Sequence, residues 1–363
     1  MDQDQWEQGS GIRLREYRPA DAAVLAKAYE DPVYRRFARA DAEPSAANHV
    51  IADENTDEVL GAIGLNAAAP GRGQAEVTFW VAPWARRRGV ATAALRAFDR
   101  LAFGSGLERL ELLIHWENPA AQRVAMAAGY TREGVRRGAV PNGAGGRDDM
   151  LVYTRLAGDP REPAARLLPD LPGGELTDGV VTLRPLGESD VDFYIELHTL
   201  PDVIATSVPP VPMPADEIRR RCARAEAQWL SGTRADLIII DAETGTPAGE
   251  IGLYYQEPPL AQAMIGYSML PAFRGRGLTT RAAQLVALWA FAETGIVRLI
   301  AGALPTNIGS QRVLEKAGFQ REAYQRSRLP GQDGVRVDDV QYVLLAGDLL
   351  AQASSAGGSH SET

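Results

Sequence analysis

Asn118-Pro-Ala-Ala-Gln-Arg-Val-Ala-Met-Ala-Ala-Gly-Tyr130 is answered later in the chain by Asn307-Ile-Gly-Ser-Gln-Arg-Val-Leu-Glu-Lys-Ala-Gly-Phe319. The offset is 189, and it also carries Asp149 onto Asp338 and Tyr153 onto Tyr342 without a gap. Matches held in register over a whole segment mark a repeated structural unit. Upstream, Leu14-Arg15 with Asp21 answers Leu183-Arg184 with Asp190 at an offset of 169, and Ile63-Gly64-Leu65 answers Ile251-Gly252-Leu253 at 188. Between these anchors the first copy is therefore 19 residues shorter, in its early helical region. A chain of 363 residues suits two domains.

Ala157 to Gly179 is rich in Pro, Gly and acidic residues and lacks apolar periodicity, which reads as a linker. The Ser- and Gly-bearing end reads as a disordered tail. The expected organisation is a domain over 10–157, a linker over 158–178, a second domain over 179–350 and a tail over 351–363. Ile12 to Glu16 and Val180 to Arg184 read as short strands, each followed by an aspartate, Asp21 or Asp190, at a helix start. In the second copy Leu237–Asp241 and Ala248–Tyr255 flank a glycine-bearing turn, Ala263–Leu270 forms the next strand, and Leu278–Glu293 has helical apolar spacing. Strands alternating with helices give a mixed α/β fold class.

Composition narrows the function. Hydrophobic residues make up 45% and charged residues 23%, enough for real cores. The start is polar and acidic, without a signal-peptide pattern, and the longest apolar run, Leu285 to Ala292, is far short of a membrane span. A cytoplasmic protein with no membrane partner is expected. The single cysteine, Cys222, excludes an internal disulfide and reads as an inert buried thiol. The four histidines, His49, His115, His198 and His360, show no ligand spacing, so no metal is expected. A net charge of −9 speaks against nucleic acid, despite the basic runs Arg86–Arg88 and Arg219–Arg221.

The chemistry points to two equivalent loops, Trp84-Ala-Arg-Arg-Arg-Gly-Val-Ala91 and Phe273-Arg-Gly-Arg-Gly-Leu-Thr279. Each is a basic, glycine-bearing segment opening a helix. Bare N–H groups at a helix N-terminus with its partial positive charge make an anion site, and glycine lets the backbone approach. A single loop of this kind would be an ordinary solvated basic turn, but its occurrence at both equivalent places favours a pyrophosphate ligand. Neither loop completes a dinucleotide-binding G-x-G-x-x-G or a phosphate-loop Gly-Lys-Ser/Thr.

These loops, the Leu-Arg pairs near each start, the Asn-x-x-Ser with Val-Leu-Glu-Lys-x-Gly-Phe, and the closing Asp-x-x-x-Tyr resemble the GNAT acetyltransferase superfamily, its RimJ/RimL-like branch in particular. The resemblance covers both copies nearly end to end. It implies tandem domains, each a mostly antiparallel sheet with a splayed parallel strand pair flanked by helices, and acetyl-CoA as co-substrate. In the family's Arg/Gln-x-x-Gly-x-Gly/Ala, Arg86, Gly89 and Ala91 match fully, while Arg274 and Gly277 match and Thr279 departs. The implied cofactor residues are Arg86, Arg87, Arg88, Gly89, Val90 and Ala91, then Arg274, Gly275, Arg276, Gly277, Leu278 and Thr279. Asn118 and Asn307 would flank the pantetheine arm, although helix capping alone would explain both. Ser310 would hydrogen-bond or protonate the leaving thiolate; the first copy has Ala121 there. The tyrosine acid of other branches is replaced by Ala125 and Leu314.

The implied reaction is attack of a neutral amine on a thioester, which asks for a base, since an alkyl ammonium has a pKa near 10.4. Glu76, on the fourth strand of the first copy, and Glu250, on the neighbouring strand of the second, are the candidates; the other reading of each is a strand residue facing water. Their counterparts are Met264 and Ala62. With Ser310 and the longer helical region, including Asp216 to Leu230, the second copy is the better catalytic candidate. The implied function is N-acetyl transfer to an amine-bearing small molecule, a peptide or a protein N-terminus, by a monomer or homodimer. The alternative is a non-catalytic acyl-CoA-binding or scaffolding protein with one degenerate copy.

Overall fold

The computed structural model describes residues 11–37, 49–142 and 145–348. The tail over 351–363 lies outside the described residues. The chain divides into two compact units, Met1–Ala165 and Arg166–Thr363.

The first unit runs β1 (Ile12–Arg15), α1 (Ala22–Tyr29), α2 (Pro32–Phe37), β2 (His49–Asp53), β3 (Val59–Ala69), β4 (Gln74–Val81), α3 (Val90–Gly104), β5 (Arg109–His115), α4 (Pro119–Ala127), β6 (Thr131–Pro141) and β7 (Arg147–Leu156). Its sheet has the order β1-β2-β3-β4-β5-β7-β6, antiparallel throughout except for the β4–β5 pair. In β5 the alternation of Leu110, Leu112 and Ile114 puts one face into the core, where Leu95 and Phe98 of α3 meet it.

The second unit runs β8 (Leu176–Thr177), β9 (Val181–Pro185), α5 (Val191–His198), α6 (Pro201–Thr206), α7 (Ala215–Leu230), β10 (Arg234–Asp241), β11 (Thr246–Glu257), β12 (Gln262–Met269), α8 (Leu278–Glu293), β13 (Arg298–Ala303), α9 (Ile308–Lys316), β14 (Gln320–Pro330) and β15 (Arg336–Leu345). The sheet order is β14-β15-β13-β12-β11-β10-β9-β8, with β12–β13 parallel. β10 is a continuous apolar run because helices cover both faces. Leu237 and Ile239 enter the core with α8, while Ile238 meets Ile218 and Cys222 of α7 on the other side. Burial pushes the Cys222 thiol up to about 11, in keeping with an inert thiol.

The paired Leu-Arg and Asp signatures have one physical meaning. Arg15 binds both oxygens of Asp21 at 2.8 and 2.9 Å, and Arg184 binds Asp190 at 2.8 and 2.6 Å. The aspartates do not cap α1 and α5 as their positions suggested. Each instead accepts the N–H three residues earlier, Arg18 or Gly187, closing the turn before the helix. The stretch read as a linker is mostly exposed but is pinned at a few points. The Ala164 N–H donates to the Met126 carbonyl, whereas Leu168 and Leu171 are buried in the second core and Trp229 Nε1 donates to the Pro169 carbonyl. Proline and glycine content marked irregular backbone here, but the scattered leucines anchor it.

Candidate functional site

In each sheet the parallel pair holds register over three residues only. β4 meets β5 at Gln74–Arg109, Ala75–Leu110 and Glu76–Glu111; β12 meets β13 at Gln262–Arg298, Ala263–Leu299 and Met264–Ile300. β4 then runs on to Val81 and β12 to Met269, so the strands part in a V that opens toward the basic loops.

Each loop delivers a left-handed glycine as the residue before its helix, Gly89 at φ 76° and Gly277 at φ 80°. Neither helix has a side-chain cap, and the first main-chain bonds run from Ala93 N to Gly89 O and from Arg281 N to Gly277 O. The N–H groups of Val90, Ala91 and Thr92, and of Leu278, Thr279 and Thr280, therefore have no acceptor within their helices. A β-carbon added at either glycine would meet no atom within 4 Å. Val90 and Leu278 bury their side chains in the cores, which fixes the helix ends. Three aligned donors at the positive end of a helix dipole suit a pyrophosphate.

The arginines differ from the sequence expectation. Arg86 donates through Nε to the Val81 carbonyl at 3.2 Å and through Nη2 to Asp31 at 2.5 Å. Arg274 donates twice to the Met269 carbonyl, at 3.0 and 2.8 Å, and pairs with Asp202. Both guanidinium groups brace the loop against its own strand and a short helical segment rather than reaching for an anion. Arg276 pairs with Asp241 at 3.0 Å. Arg87 and Arg88 are exposed. The turn also needs a left-handed residue two places before the final glycine. Gly275 supplies it at φ 75°, whereas Arg87 adopts φ 60°, at a strain of about 1 kcal/mol. The second loop is thus the better fitted to its own backbone, although the motif match favoured the first.

Asn118 and Asn307 cap α4 and α9, accepting the N–H of Ala121 and Ser310 at 3.1 Å. Ser310 Oγ lies 2.9 Å from the Tyr267 hydroxyl on β12, within the parted stretch. Phe79 and Ala121 occupy the same places in the first unit, where both pack on the core.

Neither glutamate faces water: Glu76 is 7% and Glu250 8% exposed. Glu76 accepts from Asn66 Nδ2 at 3.1 Å. Glu250 lies inside a polar cluster between β11 and the helices α5 and α7. The Tyr194 hydroxyl donates to Oε2, Arg221 approaches the same oxygen at 3.4 Å, and His198 Nε2 stands 3.0 Å from Oε1 without hydrogen-bond alignment. Arg221 also pairs with the buried Asp236 at 3.2 Å. Burial pushes the Glu250 carboxyl up to about 8 against a lowering hydrogen bond with Ser268, and burial together with Arg221 lowers His198 to about 4. The first unit has Ala62 and Trp80 at the places of Glu250 and Ser268, with Trp80 edge-on to Tyr29 at 5.3 Å.

A cleft of about 400 Å³ opens between the segment around Val208 and Pro210, Leu304 at the end of β13, and the turn joining β14 to β15 with Asp333 and Val335. Tyr267 and Tyr194 carry no motif of their own, and in the sequence His198 and Arg221 stand out only as one of four histidines and as the end of a basic run. The one sequence signal for Tyr267 was its exchange for Phe79 alongside the exchange of Ser310 for Ala121.

A model of the GNAT acetyltransferase domain matches residues 12–131 and again 181–320. The Bacillus subtilis (strain 168) protein described as "Probable N-acetyltransferase YjcK" is 46% identical over 70 residues, 19% of this chain and 39% of that protein. The chain thus spans well under two thirds of that relative's length. Among solved structures, Mycobacterium smegmatis RimJ in complex with CoA-disulfide aligns at 22% identity and a TM-score of 0.44, covering 51% of this chain and 93% of RimJ. A RimL ribosomal alpha-N-protein acetyltransferase in complex with coenzyme A aligns at 19% and 0.42, covering 47% and 96%.

Proposed function

Because the chain belongs to the GNAT acetyltransferase family, we propose that its second unit transfers an acetyl group from acetyl-CoA to a primary amine, preferring the α-amine of a peptide or protein N-terminus. The observation that carries this reading is the uncapped start of α8 behind Gly277, set at the mouth of the V between β12 and β13. The pyrophosphate is held by the N–H groups of Leu278, Thr279 and Thr280. Backbone N–H groups of β12, beyond its register with β13, polarise the thioester carbonyl.

The acceptor enters through the cleft beside Asp333. The preference for an α-amine is supported by the burial of Glu250, which pushes its carboxyl up to about 8 and away from the role of a free base. An α-amino group titrates near 8, so much of it is already neutral, whereas a lysine near 10.4 needs an available base. In the second unit Glu250 acts through its cluster rather than on the amine directly, whereas Glu76 belongs to the first unit and is its candidate base only where that unit also transfers.

For the first unit the apolar pair Phe79 and Ala121 favours a second reading, in which acyl-CoA binds through Gly89 and α3 without transfer. The test is release of coenzyme A thiol from acetyl-CoA in the presence of a peptide with a free N-terminus, and of the same peptide with that terminus blocked and a lysine present. Release with the first peptide alone is expected. Release with the blocked peptide alone overturns the α-amine preference, and release with neither overturns acetyl transfer to peptides.

A further inference from the structure

We propose that Tyr267 is a positioning residue that turns the Ser310 hydroxyl toward the departing sulfur of the acyl donor. The inference rests on the acetyl-transfer reading of the second unit.

The geometry is local and complete. Tyr267 lies on β12 past Met264, where pairing with β13 has ended. Its hydroxyl crosses to the first turn of α9, 2.9 Å from Ser310 Oγ and 3.2 Å from the Ser310 carbonyl. The Ser310 N–H is already held by Asn307 Oδ1, so the backbone of the serine is fixed. Only the direction of its hydroxyl proton stays open. Either hydroxyl can donate in this contact, and the phenol's single proton has both Oγ and the Ser310 carbonyl within reach. In the proposed arrangement the phenol donates to Oγ, so that the serine proton points to a third group. The tyrosine keeps its proton throughout, since burial pushes it up to about 12.

The repeat supplies an internal control. At the matching places the first unit has Phe79 and Ala121, and both pack against its core without a hydroxyl. The frame therefore folds with either pair, and the hydroxyls occur together or not at all. A donor relay needs both hydroxyls; mutual hydrogen-bond satisfaction would also exchange them together, and the kinetic cycle separates the two.

In the reaction the amine nitrogen forms a bond to the carbonyl carbon, the C–S bond breaks and its electron pair leaves on sulfur. The surplus proton of the amine goes to water. Ser310 keeps its proton and donates a hydrogen bond to the sulfur as charge develops there, while Tyr267 donates to Ser310. Hydrogen bonds in such a chain strengthen one another when the terminal acceptor is charged.

The experiment is a double-mutant cycle in the full chain with Tyr267→Phe, Ser310→Ala and both together, following release of coenzyme A thiol. A hydrogen bond to a charged acceptor corresponds to roughly tenfold or more in rate. Tyr267→Phe should lower kcat by about that factor while KM for acetyl-CoA changes less than about twofold, and the double variant should be no slower than Ser310→Ala. Unchanged kcat in Tyr267→Phe, or losses that multiply in the double variant, overturns the proposal while transfer itself stands. A wild-type chain that releases no thiol with any amine overturns the underlying reading instead. Phe at this place is already tolerated in the first unit, and equal melting temperatures across the set separate positioning from folding.

Discussion

Arg155 Nη1 lies 2.7 Å from Asp99 Oδ2 inside the first unit, with side chains only 8% and 2% exposed. The Tyr130 hydroxyl donates to the other carboxylate oxygen at 2.7 Å. The repeat places Ala287, Phe319 and Leu344 at these three positions in the second unit, all buried and apolar. One frame has thus been filled in two ways. Removing one member of a buried ion pair leaves its partner unpaired, at a cost of about 3–5 kcal/mol, whereas exchanging the whole set for apolar groups is neutral or stabilising. Asp99→Ala should therefore lower the first unit's denaturant midpoint sharply, and Asp99→Ala with Tyr130→Phe and Arg155→Leu should restore it. A triple variant as unstable as the single one would contradict this.

Glu250 and His198 make the stability of the second unit depend on pH in opposite senses. His198, lowered to about 4, binds fewer protons folded than unfolded, so stability rises with pH from about 4 to its ordinary 6.5. Glu250, raised to about 8 from 4.5, holds a proton that the unfolded chain has lost, so stability falls as pH rises between those values. The two offset below about 6.5, and above it the glutamate acts alone. The second unit should lose melting temperature from pH 6.5 to 8, and Glu250→Gln should remove that slope. The facing groups Tyr194, Arg221, Arg234 and Asp236 stay in place in the variant. A slope that persists in Glu250→Gln assigns it elsewhere.

Asp333 lines the cleft proposed for the acceptor, on a left-handed backbone, φ 53°. Asn adopts that conformation readily, so Asp333→Asn removes only the charge. If the carboxylate meets the acceptor's ammonium, KM for a peptide should rise several-fold, on the scale of a partly exposed ion pair, with KM for acetyl-CoA unchanged. Equal acceptor KM values would place the amine elsewhere.

The repeat, the strands and helices of the second copy and the two glycine loops were legible because each rests on local patterns: an offset, a period of two or 3.6, and a glycine before a helix. Leu278–Glu293 was read with the bounds the structure gives. The buried clusters were not legible. Glu250 draws its partners from α5, α7 and β12, and Asp99 meets Tyr130 and Arg155 from β-strand and loop positions far along the chain, so no spacing announces either group. Arginines in a basic loop read as anion ligands, yet Arg86 and Arg274 turn back to Val81 and Met269, which only the fold brings within reach.

The central claim is that a helix start freed by a left-handed glycine binds acetyl-CoA, and calorimetric titration tests it most directly. Wild type, Gly89→Glu, Gly277→Glu and the double variant would be compared, with Gly277→Asn as the variant that keeps the left-handed backbone without the charge. The account predicts two sites in wild type, one in each single glutamate variant, none in the double, and a retained second site in Gly277→Asn. Undiminished binding in Gly277→Glu, or none in the wild-type chain, would contradict it.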